Sequence, residues 1–124
     1  MQATVYELIG GDETISRLVD AFYRRVIAHE NLSKLFPEDI IPVRNKQHKF
    51  LTQLFGGPHL YSDLYGSPML RAKHLPHPIT RERAKEWLGC MNAALDEVGI
   101  HGDVRDYMVE RLTMTAYHMV NTEE

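Results

Sequence analysis

The chain has 124 residues, 44% hydrophobic and 25% charged, and its 14 Lys and Arg against 17 Asp and Glu leave a net charge of −3. That size suits a single domain over 1–124, burying about two-thirds of its unfolded surface, and its one cysteine excludes an internal disulfide or a CxxC-type metal site. The acidic balance argues against nucleic-acid binding by charge, and no run of about 18 apolar residues marks a membrane span.

The N-terminus, Met1-Gln2-Ala3-Thr4-Val5, has no signal-peptide pattern, so a cytoplasmic protein is expected. After Gly10-Gly11, Asp12 is a candidate N-cap. Ile15, Leu18, Val19, Phe22, Tyr23, Val26 and Ile27 then repeat at the spacing of one helix face. Residues 29–42 carry Pro37 and Pro42 and read as a bend with at most a short helical turn. A second helical series runs Val43, Gln47, Phe50, Leu51, Leu54, Phe55 and stops at Gly56-Gly57-Pro58. The stretch 56–80, rich in Gly and Pro, reads as a long connection without secondary structure, a kind that is often functional. Thr80 caps a third series, Ala84, Trp87, Leu88, Met91, Ala94, Leu95, Val98, which ends at Gly99. The fourth, Val104, Met108, Leu112, Thr115, Ala116, Met119, is expected to begin at Asp103 with Asp106 completing a capping box. Period-2 alternation is missing, so the fold is expected to be all-α.

Some polar residues sit where this pattern puts core. Gln47 falls on the apolar stripe of its helix, where an unpaired amide costs about 1–3 kcal/mol. Bonding to a backbone group or buried water would satisfy it; so would a polar ligand in an apolar cavity. Tyr23 and Trp87 also carry donors on apolar faces. One such residue is ordinary core, whereas three donors from three helices outline a polar-lined pocket. His74 lies on the proline-rich connection with Arg71 and Lys73 beside it. It reads as a solvated loop histidine or as a metal ligand. His77 adds an H-x-x-H spacing, but a zinc site would need a third ligand that no spacing supplies. The other histidines read as solvated, and Cys90 as a small buried hydrophobe. A single axial histidine, apolar helices, nearby cations and opposing donors are together what a haem requires.

The chain resembles the group II truncated haemoglobins, in the versions found in Bacillus-type bacteria, over nearly its whole length. The matching pieces are Gly10-Gly11, Ala21-Phe22-Tyr23, Leu35-Phe36-Pro37-Glu38-Asp39, Phe50-Leu51-Thr52-Gln53 with Gly56-Gly57-Pro58, Pro68-Met69-Leu70-Arg71-Ala72-Lys73-His74, Trp87-Leu88-Gly89-Cys90-Met91 and Thr115-Ala116-Tyr117-His118-Met119-Val120-Asn121. The resemblance implies a two-over-two helical sandwich around haem b, with an extended loop in place of most of the proximal helix. By position it makes His74 the iron ligand and Tyr23, Gln47 and Trp87 the distal hydrogen-bonding set. Phe36 would pack on the haem face, and Lys46 and Tyr61 would contact the haem. Arg71 and Lys73 would meet the propionates, and Leu51, Leu54, Met69, Leu70, Ile79 and Met91 would line the walls. Val43 stands at the distal gate, where relatives often carry Ala, Ser or Thr, so bulk rather than a hydrogen bond would control access. Lys73 replaces the usual Arg, keeping the charge without the bidentate fork.

The implied function is tight, reversible oxygen binding at ferrous iron, with nitric oxide, carbon monoxide, peroxide or sulfide as further ligands. The alternative is a haem redox enzyme that consumes nitric oxide or peroxide with an external reductase. A monomer or weak homodimer is expected, with no nucleic acid or membrane partner.

Overall fold

The structure is a computed structural model and describes residues 3–65 and 78–122. Every regular element among them is a helix: α1 (Val5–Leu8), α2 (Gly11–Ala28), α3 (Glu30–Ser33), α4 (Ile41–Leu54), α5 (Leu60–Tyr65), α6 (Arg81–Glu97) and α7 (Gly102–His118). The all-α expectation therefore holds. Helix α2 lies at the centre, packed on α4 along one side and α6 along the other, while α7 backs onto α6. Two layers of two long helices result, α2 with α4 and α6 with α7. No helix of the described residues is long and apolar enough to cross a membrane.

The periodic stripe of α2 explains its central place. Ile15, Leu18, Val19, Phe22 and Val26 are fully buried, joined by Leu51 of α4, Met91 and Leu95 of α6 and Met108 and Leu112 of α7. Ile27, read as part of that stripe, is instead 55% exposed, since it follows Val26 around the last turn. Cys90 is buried, as its apolar neighbours suggest, and burial pushes its thiol pKa up.

The helix ends account for most differences from the sequence reading. Helix α2 starts two residues earlier than an Asp12 cap suggests, behind Gly10, whose φ of +111° suits only glycine. A Cβ there would also lie 2.5 Å from Thr14 Oγ1. Asp12 instead sits in the first turn, where its charge favours the helix N-terminus. Helix α7 begins at Gly102 behind His101, without a side-chain cap, so the Asp103–Asp106 box does not form. The reciprocal capping box stands at the start of α1, where Thr4 Oγ1 accepts from Glu7 N–H and Glu7 Oε1 accepts from Thr4 N–H. Thr80 does cap α6, accepting from Arg83 N–H at 3.0 Å.

Two short helices were not expected. Helix α1 is pinned to the end of α4 by Tyr6 N–H donating to Phe55 O at 2.8 Å. Helix α5 interrupts the connection after α4, held by Gln53, whose amide donates to Ser62 Oγ (2.7 Å) and accepts from Ser62 N–H (2.9 Å). Its sequence, LYSDLY, is too short to show a helical period.

At the far end, Arg24 and Arg25 both hold Glu97, tying α2 to α6 and drawing the Glu97 carboxyl pKa down. Arg105 of α7 donates to Asp96 and to Asn92 O, closing the α6–α7 corner.

Candidate functional site

Between the layers, on the side away from Arg105, lies a cavity of about 390 Å³. Its wall on α4 is Val43, Lys46, Gln47 and Phe50, the i, i+3, i+4, i+7 face of that helix. Helix α6 contributes Arg83, Ala84 and Trp87, and α7 contributes Leu112, Thr115, Ala116 and Met119 at the same repeat. Helix α2 gives Tyr23, and the bend after α3 gives Leu35, Phe36 and Pro37. The four long helices and one bend thus converge on a mostly apolar space.

The aromatic side chains set its geometry. Phe22 is fully buried and meets both Tyr23 (ring centroids 4.9 Å apart, 74°) and Trp87 (5.0 Å, 66°) edge to face. Tyr23 in turn meets Phe36 at 5.8 Å and 83°. Such edge contacts contribute about 0.5–1.5 kcal/mol each beyond area burial, and they fix ring orientation. Phe50 and Tyr61 form a second edge pair at 5.8 Å, carrying α5 to the wall.

Tyr23, Gln47 and Trp87 therefore stand on α2, α4 and α6 and line one cavity. None of the three hydrogen-bonds to another of the described residues. Three donors without partners among the described residues, in an apolar chamber, leave their polarity for whatever occupies it. Burial pushes the Tyr23 phenol pKa far above its ordinary value of 10, so Tyr23 stays a donor throughout the neutral range.

Of the other sequence candidates, Phe36, Val43, Lys46, Tyr61 and Ile79 also line the cavity. Leu51 and Met91 do not: both are buried in the packed core behind it. Leu51 turns from the α4 stripe toward α2, and Met91 lies one turn past Trp87. Leu54 sits a turn beyond Phe50 and packs partly buried on that core. Met69, Leu70, Arg71, Lys73, His74 and His77 lie outside the described residues.

Arg83 is a wall residue that sequence reasoning missed. Its Nη1 donates to Pro78 O at 2.8 Å and its Nη2 to Asn31 Oδ1 at 3.3 Å. Its place one turn before Trp87 was the available signal. The face of α7 was visible in the series Leu112, Thr115, Ala116, Met119, but read only as core. Two histidines expected in solvent are partly buried instead. His29 Nδ1 accepts from Leu32 N–H and its Nε2 lies 3.3 Å from Glu86. His48 Nε2 is buried 2.9 Å from Asp12 Oδ1, off the axis of a good hydrogen bond. Among the described residues, no group of three His, Cys, Asp or Glu could hold a metal ion.

The cavity suits a flat, largely apolar group: aromatic and aliphatic walls for its faces, the Lys46 cation for an acidic substituent, and the Tyr23, Gln47 and Trp87 donors for a small polar ligand.

Comparison with known proteins points the same way. Residues 4–121 match the family model described as bacterial-like globin. The chain is 53% identical over 119 residues to the group 2 truncated hemoglobin YjbI of Bacillus subtilis, covering 96% of this chain and 89% of that protein. It superposes on the crystal structure of the group II truncated hemoglobin from Bacillus anthracis with a TM-score of 0.98 at 50% identity, covering 100% of this chain and 95% of that one. The truncated oxygen-avid haemoglobin from Bacillus subtilis gives 0.93 at 52% identity, over 96% of this chain and 100% of the other.

Proposed function

Because the chain belongs to the bacterial-like globin family, on its group II truncated haemoglobin branch, we propose that its cavity holds haem b and a tightly bound diatomic ligand, oxygen first. Haem binding and oxygen binding through it are what the family does. When bound, haem supplies an iron centre that takes oxygen reversibly in the ferrous state.

The remaining chemistry belongs to the chain. His74, assigned by the sequence resemblance, is the residue that would hold the iron, through a neutral imidazole. Phe36, Phe50 and Ile79 offer apolar surface to the macrocycle. Lys46 would meet one propionate, with Arg71 and Lys73 as further cations. Arg83 is already committed to Pro78 O and Asn31, so it frames the wall more than it binds. Tyr23, Gln47 and Trp87 donate to a ligand that has drawn negative charge, and the bulk of Val43 narrows access. The observation that carries this reading is the set of three donors in one apolar chamber that have no partner among the described residues.

Hydrogen bonds to a charged acceptor contribute roughly 1.5–3 kcal/mol each. At about 1.4 kcal/mol per factor of ten, losing one donor should speed oxygen release about tenfold or more. The test is to titrate the purified chain with hemin and then measure oxygen dissociation by stopped flow. A Soret band saturating at one hemin per chain is expected, with Trp87→Phe releasing oxygen at least about tenfold faster. No Soret band would remove the haem assignment, and an unchanged off-rate would remove Trp87 from the ligand set.

Slow release suits a protein that retains its ligand more than one that carries it. Nitric oxide, carbon monoxide, peroxide and sulfide fit the same donor set. A reductase partner, cytoplasmic placement and a monomer or weak homodimer complete the reading.

A further inference from the structure

The donors of the cavity are not held alike. Neither the Tyr23 hydroxyl nor the Trp87 indole N–H has a hydrogen-bond partner among the described residues, so packing sets where each ring points. Tyr23 stands between two rings, Phe22 at 4.9 Å and Phe36 at 5.8 Å between centroids, both edge to face. Trp87 meets one ring among the described residues, Phe22, at 5.0 Å and 66°. The four rings form a chain, Trp87–Phe22–Tyr23–Phe36, that runs from α6 across α2 to the bend after α3. Tyr23 is thus supported twice and Trp87 once.

Phe22 can bear that role because it has nowhere to move. It is fully buried on α2, and Leu18, Val19 and Val26, three or four residues away on the same face, are fully buried with it. Trp87 is only partly buried and opens onto the cavity. Turning the indole about its Cβ–Cγ bond would break the edge contact with Phe22 and re-aim Nε1–H in one motion. A donor already aimed when the ligand arrives costs no reorganisation on binding.

We propose that Phe22 is the positioning residue for the Trp87 indole: its ring, fixed in the core, aims Nε1–H into the cavity. Phe22 therefore slows release of a bound diatomic ligand through Trp87, and not through Tyr23, which Phe36 also supports. For the ligand this rests on the haem reading above; for the indole it rests on the ring geometry alone. A phenylalanine that only filled core volume would act through stability and would not distinguish the two donors.

The test uses the full chain loaded with hemin. Trp87 is the only tryptophan, so the ultraviolet resonance Raman band that tracks the indole Cβ–Cγ torsion reports a single site. Oxygen dissociation by stopped flow is the second readout. Phe22→Met removes the ring and keeps an apolar side chain of similar bulk. Ile15→Ala, fully buried two turns earlier on α2, weakens the core without touching the ring chain.

Phe22→Met should shift or broaden the torsion band and speed oxygen release about fivefold. Placed on top of Trp87→Phe it should add less than about twofold, and on top of Tyr23→Phe about fivefold again. Ile15→Ala should leave the band in place. The assignment is refuted if Phe22→Met leaves the band unmoved, if its effect on release is equal in the parent and Trp87→Phe backgrounds, or if Ile15→Ala shifts the band as far. Should Phe22→Met fail to fold, Phe22→Leu is read in the same way. Phe36→Leu, at the half-buried end of the chain of rings, supplies a further arm: it removes support from Tyr23 alone, so a Trp87 band that moves there overturns the proposal. Failure of the parent chain to take up hemin would remove the haem reading, whereas the torsion band in the same chains would still decide whether Phe22 holds the indole.

Discussion

Phe22 carries no chemistry of its own, yet it orients two residues that do. Its ring meets both Tyr23 and Trp87 edge to face, so the donors of α2 and α6 share one support. Tyr23 also shows how burial at one residue enters the stability of the whole. In the unfolded chain its phenol loses a proton near its ordinary value of 10, whereas in the folded chain burial raises that point well beyond. The unfolded state therefore binds fewer protons above about pH 10, and stability falls with rising pH from there. Below that pH the contribution is fully present. Urea midpoints measured at pH 9 and pH 11 should drop in the parent chain, and drop less in Tyr23→Phe. At this scale the sequence was informative: Tyr23, Gln47 and Trp87 stood out because each put a donor on an apolar stripe. Arg83 did not, since an arginine in the first turn of a helix is ordinary until its partners Pro78 O and Asn31 are seen.

The elements that periodicity identifies are the ones whose stability comes from a buried stripe. Helices α2, α4, α6 and α7 are long enough to repeat, and each is found where its repeat placed it to within a few residues. Helices α1 and α5 are too short to repeat and are held by tertiary hydrogen bonds, α1 by Phe55 O and α5 by the Gln53 amide; the Thr4–Glu7 capping box is the local mark that α1 carries. The corner that receives α1 is tight. A Cβ on Gly57 would lie 2.9 Å from Thr52 Cγ2 and 2.9 Å from the Tyr6 ring. Gly57→Ala should therefore lower stability by about 1–3 kcal/mol, seen as a lower thermal midpoint, because Thr52 is fully buried and cannot move aside. If the midpoint held, α1 would not be packed on this corner in solution.

At the scale of the whole molecule, a chain of 124 residues is wrapped around a chamber that side chains alone do not fill. An unfilled apolar chamber forfeits contacts along its whole lining, so part of the stability belongs to the bound group. By mass action, hemin in hundredfold excess over its dissociation constant should add about 2.7 kcal/mol and raise the thermal midpoint. Extraction of the haem should reverse that shift, as differential scanning calorimetry would record. The all-α class was legible in four amphipathic stripes, and the two-over-two architecture only through the resemblance to the group II truncated haemoglobins. The cavity was less so: Leu51 and Met91 share the helices of Gln47 and Trp87, and only the packing of α2 decides that they face the core.

The indole of Trp87, the only one in the chain, stands in the wall of that chamber against Phe22. Its emission is therefore a single-site optical signal rather than an average over several positions. A porphyrin absorbing within ångströms of that ring would quench it by energy transfer. Filling, emptying and collapse of the chamber can thus be followed in real time by fluorescence, with no label attached.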